Sequence, residues 1–441
     1  MPTEREAARL FYDTLMYTQW LSRQDIEAYQ RQQLSQLLHH AAHTTSFYRD
    51  RLSKVLLQSG RVDWDRWHEV PVLTRSDVRS RQAEMTSSAI PQVHGRLTQV
   101  STSGTSGVPI TVTATRLADI ARNVARWRLH SWHELDWSKP MALALGQDPG
   151  KSVWPDGRVF KPWGPYWVSH RGLRHVIEVI TPVDRLVEWL NRTGAAYFTA
   201  MPVTLAAVAE ESVRQGKQIK LGATISFGMQ ARPEYRRVVQ ERLDVPIIEV
   251  YGSEECGPIA MQCRKGALHI NSELVRVEIV DDDGSPCPPG VQGRVIVTVL
   301  HNAAQPLIRY EQGDLAALAE SCDCGLQLPV LGPVSGRIRH LFQFGEGGRF
   351  MPSGHVTTEI VGAHLRASWY QIAQTGLNRV EVRFVSPANL SEADLEHSRH
   401  AFRTSMGGKD IDIVHKRFDS PPLKPGQKYI EFVNEHAPPD T

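Results

Sequence analysis

The sequence predicts an α/β protein, with a large N-terminal layered α/β domain of mostly parallel sheet plus a strand-rich subdomain, and a small mobile α+β C-terminal domain. Three observations carry this. Short apolar runs alternate with helix-periodic segments from about Val108 to Tyr251; the texture turns strand-rich after Tyr251; and two alternating strands flank a polar helix after about Gly336. The expected domains are 1–336 and 337–441. The second is near the size at which a core is marginal alone, so it should lean on the larger domain or swing against it.

Leu34, Leu37, Leu38 and Ala41 recur at helical spacing before Phe47 and Tyr48, which makes the N-terminal region helical. PITVT, a helix with Leu117, Ile120, Ala121 and Val124 on one face, and MALAL then read as a strand, helix, strand unit. The alternation continues through a helix around Leu186 and Leu190, the strand AAYFTA, a helix opened by Pro202, the strand ATISFG, the helix RPEYRRVVQERL and the strand PIIEVYG. In such a domain ligands sit at the carboxyl ends of the strands. LVRVEIVDDDGSPCPPGVQGRVIVTVL reads as a hairpin beside the main sheet, and VEVRFVS and IDIVHKRF flank a helix near Asp394 to Thr404.

Composition narrows the function. With 441 residues and 41% hydrophobic content the chain can bury a large core, and 50 Lys plus Arg against 48 Asp plus Glu give a net charge of +2. That balance argues against nucleic acid or an acidic membrane as partner and favours a small-molecule substrate. No segment reads as a signal peptide or a bilayer span, which places the protein in the cytoplasm as an expectation. The five cysteines, an odd number in a long chain, argue against a disulfide framework. Oligomeric state is left open, a homodimer included.

Three segments carry chemistry. In VSTSGTSGVPITV the hydroxyls of Ser101, Thr102, Ser103, Thr105 and Ser106 surround Gly104 and Gly107 ahead of a strand, a density of hydroxyl and N–H groups able to wrap a polyphosphate. It is not a Walker loop, because Val108 stands where the lysine would be; a plain surface turn has the same composition. EVYGSEECGPIA ends a strand on an aromatic, a glycine and two carboxylates: Tyr251 can stack on a base and a carboxylate can hold Mg²⁺, although core aromatics and solvated acids look alike here. In LIRYEQGDLA, Gly313 turns the chain and Asp314 offers two acceptors to a diol such as ribose, or simply closes a turn. Arg337 in GRIRHLF and Lys428 in LKPGQKYIEFV follow.

Taken in order, STSGTSG, YGSEE, RYEQGD, GR and GQK resemble the adenylate-forming (acyl-CoA synthetase, AMP-binding) superfamily, and its phenylacetate-CoA ligase and CapK-like branch in particular. The resemblance runs from the N-terminal helix through VPVLTRSDVR to Lys428. It implies a large N-terminal domain, a small mobile C-terminal domain and a two-step reaction through an acyl-adenylate. It also implies that Ser103, Gly104, Thr105, Ser106 and Gly107 hold the ATP phosphates, that Tyr251, with Gly252, Ser253 and Glu254, flanks the nucleotide, and that Glu255 binds Mg²⁺. Asp314 takes the ribose hydroxyls, Arg337 the ribose or phosphate, and Lys428, with Lys424 as the alternative, bridges the α-phosphate and the substrate carboxylate. Fixed positive charge belongs where negative charge gathers in the transition state.

The sequence departs from the family pattern at three places. Glu254 replaces the usual Thr or Ser, His340 replaces the hinge aspartate, and Val108 replaces a loop lysine. These put in question a phosphate contact at 254, the domain rotation, and one contact of the loop.

Cys263 and His269 within CRKGALH, with Cys322 and Cys324 in CDCG, form a Cys₃His set of the type that holds structural zinc; plain burial is the alternative, and the CapK-like branch has similar elements. Cys256 and Cys287 receive no role.

The expected function is ATP- and Mg²⁺-dependent activation of a carboxylic acid to acyl-AMP with release of pyrophosphate, then transfer to coenzyme A. By resemblance the acid is aryl or arylalkyl. Phe198, Met201, Phe227, Gly228 and Met229 at strand ends are candidate pocket residues, and Arg232, Arg236 and Arg237 candidate cations for coenzyme A. Two alternatives stand: an amide or ester synthetase or carrier-loading enzyme with an amine, hydroxyl or carrier thiol as acceptor, and a non-catalytic nucleotide-binding protein, against which Lys428 argues.

Overall fold

The computed structural model describes residues 3–101, 110–145, 151–179, 181–334, 342, 364–367, 369–386, 388–405, 411–422 and 432–436. They fall into two compact units, the larger running up to Val334 and the smaller beginning at Phe342.

The larger unit opens with α1 (Glu4–Thr18), α2 (Arg23–Thr44), α3 (Ser46–Arg51), α4 (Arg75–Ser80) and α5 (Gln82–Met85). Side-chain hydroxyls fix their starts: Thr3 and Thr74 form complete capping boxes with Glu6 and Asp77, and Ser22 and Thr45 accept from the N–H groups of Asp25 and Tyr48. α2 buries Leu34, Leu37, Leu38 and Ala41, the stripe its periodicity predicts.

β1 (Leu97–Ser101) and β2 (Thr111–Thr115) pair antiparallel in a sheet of their own. The TVT of PITVT is therefore in a strand, but not one of the main sheet; it pairs with the strand just before it in sequence, where the cost of closing the loop is small. Next come α6 (Arg116–Trp132), β3 (Met141–Leu145), β4 (Arg158–Phe160), β5 (Arg174–Glu178), α7 (Val183–Thr193), β6 (Tyr197–Ala200), α8 (Pro202–Arg214), β7 (Ala223–Phe227), α9 (Pro233–Leu243) and β8 (Ile247–Ser253). Strands β5, β3, β6, β7 and β8 lie side by side and parallel. β9 (Gly257–Gln262) turns back antiparallel on β8, and β10 (Leu268–Ile270) on β9.

A second sheet holds β11 (Val275–Val280), β12 (Gly293–Val299) and β13 (Tyr310–Ala316), all antiparallel. The predicted hairpin is β11 and β12; β13 adds a third strand and takes Gly313 and Asp314 out of the expected turn into a strand. β14 (Leu318–Ala319) and β15 (Val330–Leu331) complete the main sheet, whose order is β14-β15-β10-β9-β8-β7-β6-β3-β5-β4.

Two apolar clusters sandwich the parallel strands. Tyr197 and Ile225 join one cluster with α2, α6 and the second sheet, while Phe198, Ala200 and Ile247 join the other with Leu186, Leu190, Leu205 and Val239 of α7, α8 and α9. Phe198 is wholly buried there, so it is a core residue and not a pocket wall, because alternate strand residues face opposite layers. Beneath the first layer, Arg128 and Glu273 form a buried pair at 2.7 Å, completed by Asn271 at 2.5 Å from the guanidinium and by the Thr18 hydroxyl at 2.6 Å from the carboxylate.

The smaller unit contains β16 (Trp369–Gly376), β17 (Arg379–Val385), α10 (Glu392–Ser405), β18 (Asp412–Arg417) and β19 (Phe432–Asn434), ordered β18-β17-β16-β19. β17 and β18 run parallel with α10 between them in sequence, the arrangement that the VEVRFVS and IDIVHKRF patterns predict. Its own core gathers Phe342, Ile372, Val382, Phe384, Phe402, Ile413 and Phe432. Among the described residues no helix is long and apolar enough to cross a membrane.

One buried group sets an acid limit on stability. His130 of α6 packs edge-on against Trp163 at 4.9 Å, its Nδ1 buried without a partner among the described residues. Burial, aided by the charges of Arg126 and His133, lowers its pKa to about 3. Between that value and about 6.5 the unfolded chain binds the proton and the folded chain does not, so stability is present above pH 6.5 and falls as pH drops through this window. Urea unfolding at pH 5 should show His130→Phe escaping about 2 kcal/mol of the loss suffered since pH 7.5 by the parent protein; equal losses in both would contradict this.

Candidate functional site

The parallel strands end together on one edge of the main sheet. Ala200 pairs with Ser226 and Phe227 with Val250, which brings Met201, the Phe227–Gly228–Met229 segment and Tyr251 to neighbouring positions. Met201 is the N-cap of α8, and Gly228 takes a positive φ of 82°, which lets the chain leave β7 sharply. Phe227, Gly228 and Met229 are half-buried and Met201 is buried.

The next segment, Tyr251 to Gly257, reverses the chain into β9. Ser253 Oγ accepts from the Cys256 N–H at 3.2 Å. A Cβ on Gly252 would lie 2.3 Å from the carbonyl oxygen of Gly257, so only glycine permits this close approach of two strands. Arg122 of α6 reaches the turn from the side and donates to the Glu255 carbonyl at 2.9 Å.

β13 is joined to this turn by three side-chain contacts. Tyr251 donates from its hydroxyl to Asp314 Oδ2 at 2.8 Å, Gln312 Nε2 lies 2.8 Å from the buried Cys256 Sγ, and the Tyr310 hydroxyl donates to Glu255 Oε1 at 2.9 Å. Their alignment rests on a bulge. Arg294 pairs with Leu315 and Ile296 with Glu311, so Val295 alone faces Gln312, Gly313 and Asp314, and Gly313 absorbs the irregularity with φ of 76°.

Glu255 is the buried acid of the pair, with its side chain 6% exposed, and it has Arg75 Nη1 at 3.6 Å besides Tyr310. Glu254 is exposed, so the two carboxylates named from the sequence sit in different environments. Burial, reinforced by the Glu255 charge, holds the Tyr310 phenol above its ordinary range, and burial does the same to the Cys256 thiol. Tyr310 is thus a donor and Cys256 a neutral thiol at physiological pH. Sequence reading assigned nothing to Arg75, Arg122, Tyr310, Gln312 or Cys256. Arg75 and Tyr310 stand inside VPVLTRSDVR and RYEQGD, but only the three-dimensional path of β13 reveals what they touch.

Arg236 is partly exposed and tied into the fold by its hydrogen bonds. It donates to Glu249 Oε2 at 2.5 Å and to the carbonyls of Ala231 and Ile247, while Arg237 pairs with Glu241 at 3.3 Å. Ser103, Gly104, Thr105, Ser106, Gly107, Arg337, His340, Lys424 and Lys428 lie outside the described residues.

The four residues read as metal ligands do come together. The ligand atoms of Cys263, His269, Cys322 and Cys324 all lie within 4.8 Å of one another. Cys263 Sγ and Cys322 Sγ are 3.8 Å apart, about the edge of a tetrahedron with metal–sulfur bonds near 2.3 Å, and Cys324 Sγ is 3.2 Å from His269 Nε2. His269 Nδ1 donates to the Leu328 carbonyl at 2.9 Å, which leaves Nε2 as the ligating atom. Burial, with the other thiols adding, raises the Cys324 pKa to about 12 without an ion. Three thiols and one imidazole nitrogen at these separations could hold a metal ion. Cys287 stands apart on the β11–β12 connection.

Comparison with known proteins places the chain in a family. The model of the AMP-binding enzyme family matches residues 28–303. The phenylacetate-coenzyme A ligase of Thermus thermophilus is 26% identical over 342 residues, covering 72% of this chain and 71% of the relative. That of Pseudomonas putida is 32% identical over 146 residues, 31% of this chain and 32% of its own. The crystal structure of 2-hydroxyisobutyryl-CoA ligase in the postadenylation state, in complex with R3-HIB-AMP, shares the fold with a TM-score of 0.71 at 17% identity, covering 94% of this chain and 91% of that one.

The Gly252 contact is directly testable. Gly252→Ala should destabilise the larger unit by about 1–3 kcal/mol, since the obstacle is backbone and cannot swing away; an unchanged unfolding midpoint would show that the turn is looser than described.

Proposed function

We propose that this chain, which belongs to the AMP-binding enzyme family, is an ATP-dependent, AMP-forming ligase that activates a carboxylic acid and passes the acyl group to coenzyme A, with an aryl or arylalkyl acid as substrate. The observation that carries the reading is the Tyr251–Asp314 hydrogen bond at 2.8 Å at the carboxyl edge of the sheet, with Glu255 buried four residues along. It ties a base-stacking surface to a diol acceptor, the two functions an adenosine needs side by side.

In the first step the acid's carboxylate oxygen attacks the α-phosphorus, the bond to the β-phosphate oxygen breaks and pyrophosphate leaves. In the second, the thiol sulfur, its proton lost to solvent, attacks the acyl carbonyl and AMP leaves. Tyr251 and Asp314 orient the adenosine. Ser103, Gly104, Thr105, Ser106 and Gly107 cradle the phosphates, Arg337 contacts the ribose or phosphate, and Lys428 supplies fixed positive charge between the α-phosphate and the carboxylate, all by carry-over from the family motifs. Glu255 is the carboxylate suited to Mg²⁺, whose contribution is to neutralise phosphate charge. Met201, Phe227, Gly228 and Met229 border the acid, and the small unit acts as the mobile lid. Cys263, His269, Cys322 and Cys324 hold a structural zinc ion that ties the β9–β10 turn to the 322–324 turn.

Two experiments test the proposal. Acid-dependent exchange of labelled pyrophosphate into ATP should be strongest with aryl or arylalkyl acids and should fall about 10²-fold or more in Lys428→Ala, with ATP binding retained; no exchange across a broad acid panel would sink the catalytic reading, and amide or ester formation in place of the thioester would change the acceptor. Elemental analysis should find one zinc ion per chain, lost in Cys322→Ser and Cys324→Ser but kept in Cys287→Ser. A metal-free protein of full stability would remove zinc from the description.

A further inference from the structure

The two oxygens of Glu255 are not equivalent. Oε1 receives the Tyr310 hydroxyl at 2.9 Å and faces Arg75 Nη1 at 3.6 Å, whereas Oε2 meets no hydrogen-bond donor among the described residues. Both groups on Oε1 come from one backbone junction. Leu73 forms a parallel bridge with Tyr310, its N–H donating to the Arg309 carbonyl at 2.8 Å and its carbonyl accepting from Glu311 at 3.0 Å. Thr74 then caps α4, so Arg75 is the first helical residue, two positions beyond the paired Leu73. The junction is braced further by Arg309, buried in left-handed backbone with φ of 50°, which donates to the carbonyls of His68 at 2.7 Å and Val70 at 2.6 Å and faces Glu278 at 3.2 Å. Tyr310 and Arg75 therefore cannot shift independently.

We propose that Arg75 and Tyr310 are positioning residues for Glu255: they hold Oε1 from one rigid junction, so that Oε2 is the oxygen Glu255 would offer to a metal ion. This rests on the reading of Glu255 as the Mg²⁺ ligand and adds how its carboxylate is aimed. A second consequence follows from charge. With a guanidinium beside it, the lone carboxylate is a poor site for a free dication, and Glu255 would hold an ion well only when phosphate oxygens are present beside it. Each acts through Glu255, the carboxylate it contacts.

The test measures ATP binding by calorimetry with and without millimolar Mg²⁺, in the absence of acid, so that no turnover is involved. The gain in ATP affinity on adding Mg²⁺ is the readout. Glu255→Gln should abolish the gain. Tyr310→Phe and Arg75→Gln should each reduce it about tenfold, the loss expected when one hydrogen bond or cation is removed from a carboxylate, and Arg75→Lys should restore most of it. Affinity for ATP without metal should stay within about twofold, a split that a general loss of folding would not give. If Glu255→Gln leaves the gain intact, the assignment of Glu255 as a metal ligand fails. Should Glu255→Gln abolish it while Tyr310→Phe and Arg75→Gln keep it, that assignment stands and the positioning role is overturned. Tyr310→Phe preserves shape and packing, so it decides the matter even if Arg75→Gln unfolds.

Discussion

A carboxylate buried to the extent of Glu255 must be answered by donors, and that requirement organises the site. Leaving such a group unpaired costs more than any single hydrogen bond returns. The answer comes from Tyr310 and Arg75, two residues far from Glu255 in sequence, and bringing them there fixes the path of β13, the bulge opposite Val295 and the Leu73 bridge. Once β13 is placed for Tyr310, the bulge sets Gln312 and Asp314 against Cys256 and Tyr251. Tyr251, Cys256, Gln312 and Asp314 are thus aligned by contacts with one another.

The sequence reading recovers the layers well and their connections less well. Helix stripes such as Leu34 to Ala41 and the parallel strands from MALAL to PIIEVYG are legible because burial imposes periods of 3.6 and 2 on them. β2 is legible as a strand, but its sheet is not, since PITVT carries no mark of which partner it pairs with. β4, β5, β9 and β10 escape notice because three- to six-residue apolar runs lack a period to measure. The reading of Phe198 fails for a related reason: a strand-end aromatic can face either layer, and here it faces the helices.

The site divides along the same line. Residue types name Tyr251, Glu255 and Asp314 as candidates, because the chemistry of a nucleotide calls for an aromatic, a carboxylate and a diol acceptor. What positions them is written in long-range contacts that no local pattern encodes: Arg75 is 180 residues from Glu255. The ion pair of Arg236 is hidden from the sequence similarly, as its partner Glu249 lies on the next element and a helix wheel cannot show it. The Cys₃His set is the exception, since its ligand types are distinctive enough to be joined across more than fifty residues without knowing the path between.

β9 is the element on which these features meet. Its first residue closes the Glu255 turn, its last precedes Cys263, and Pro258 and Ile259 are bonded to Asn271, which also receives Arg128 of the buried pair. A six-residue strand spans roughly 20 Å, so the metal cluster and the turn sit at opposite ends with the Asn271 contacts near the turn. An ion at the cluster would therefore act on the register of β9 and β10 and hence on stability. The turn is fixed locally by Tyr310, Arg75, Arg122 and Asn271. The Cys₃His cluster and the Glu255 turn thus lie at opposite ends of one strand, with Asn271 bonded to it nearer the turn.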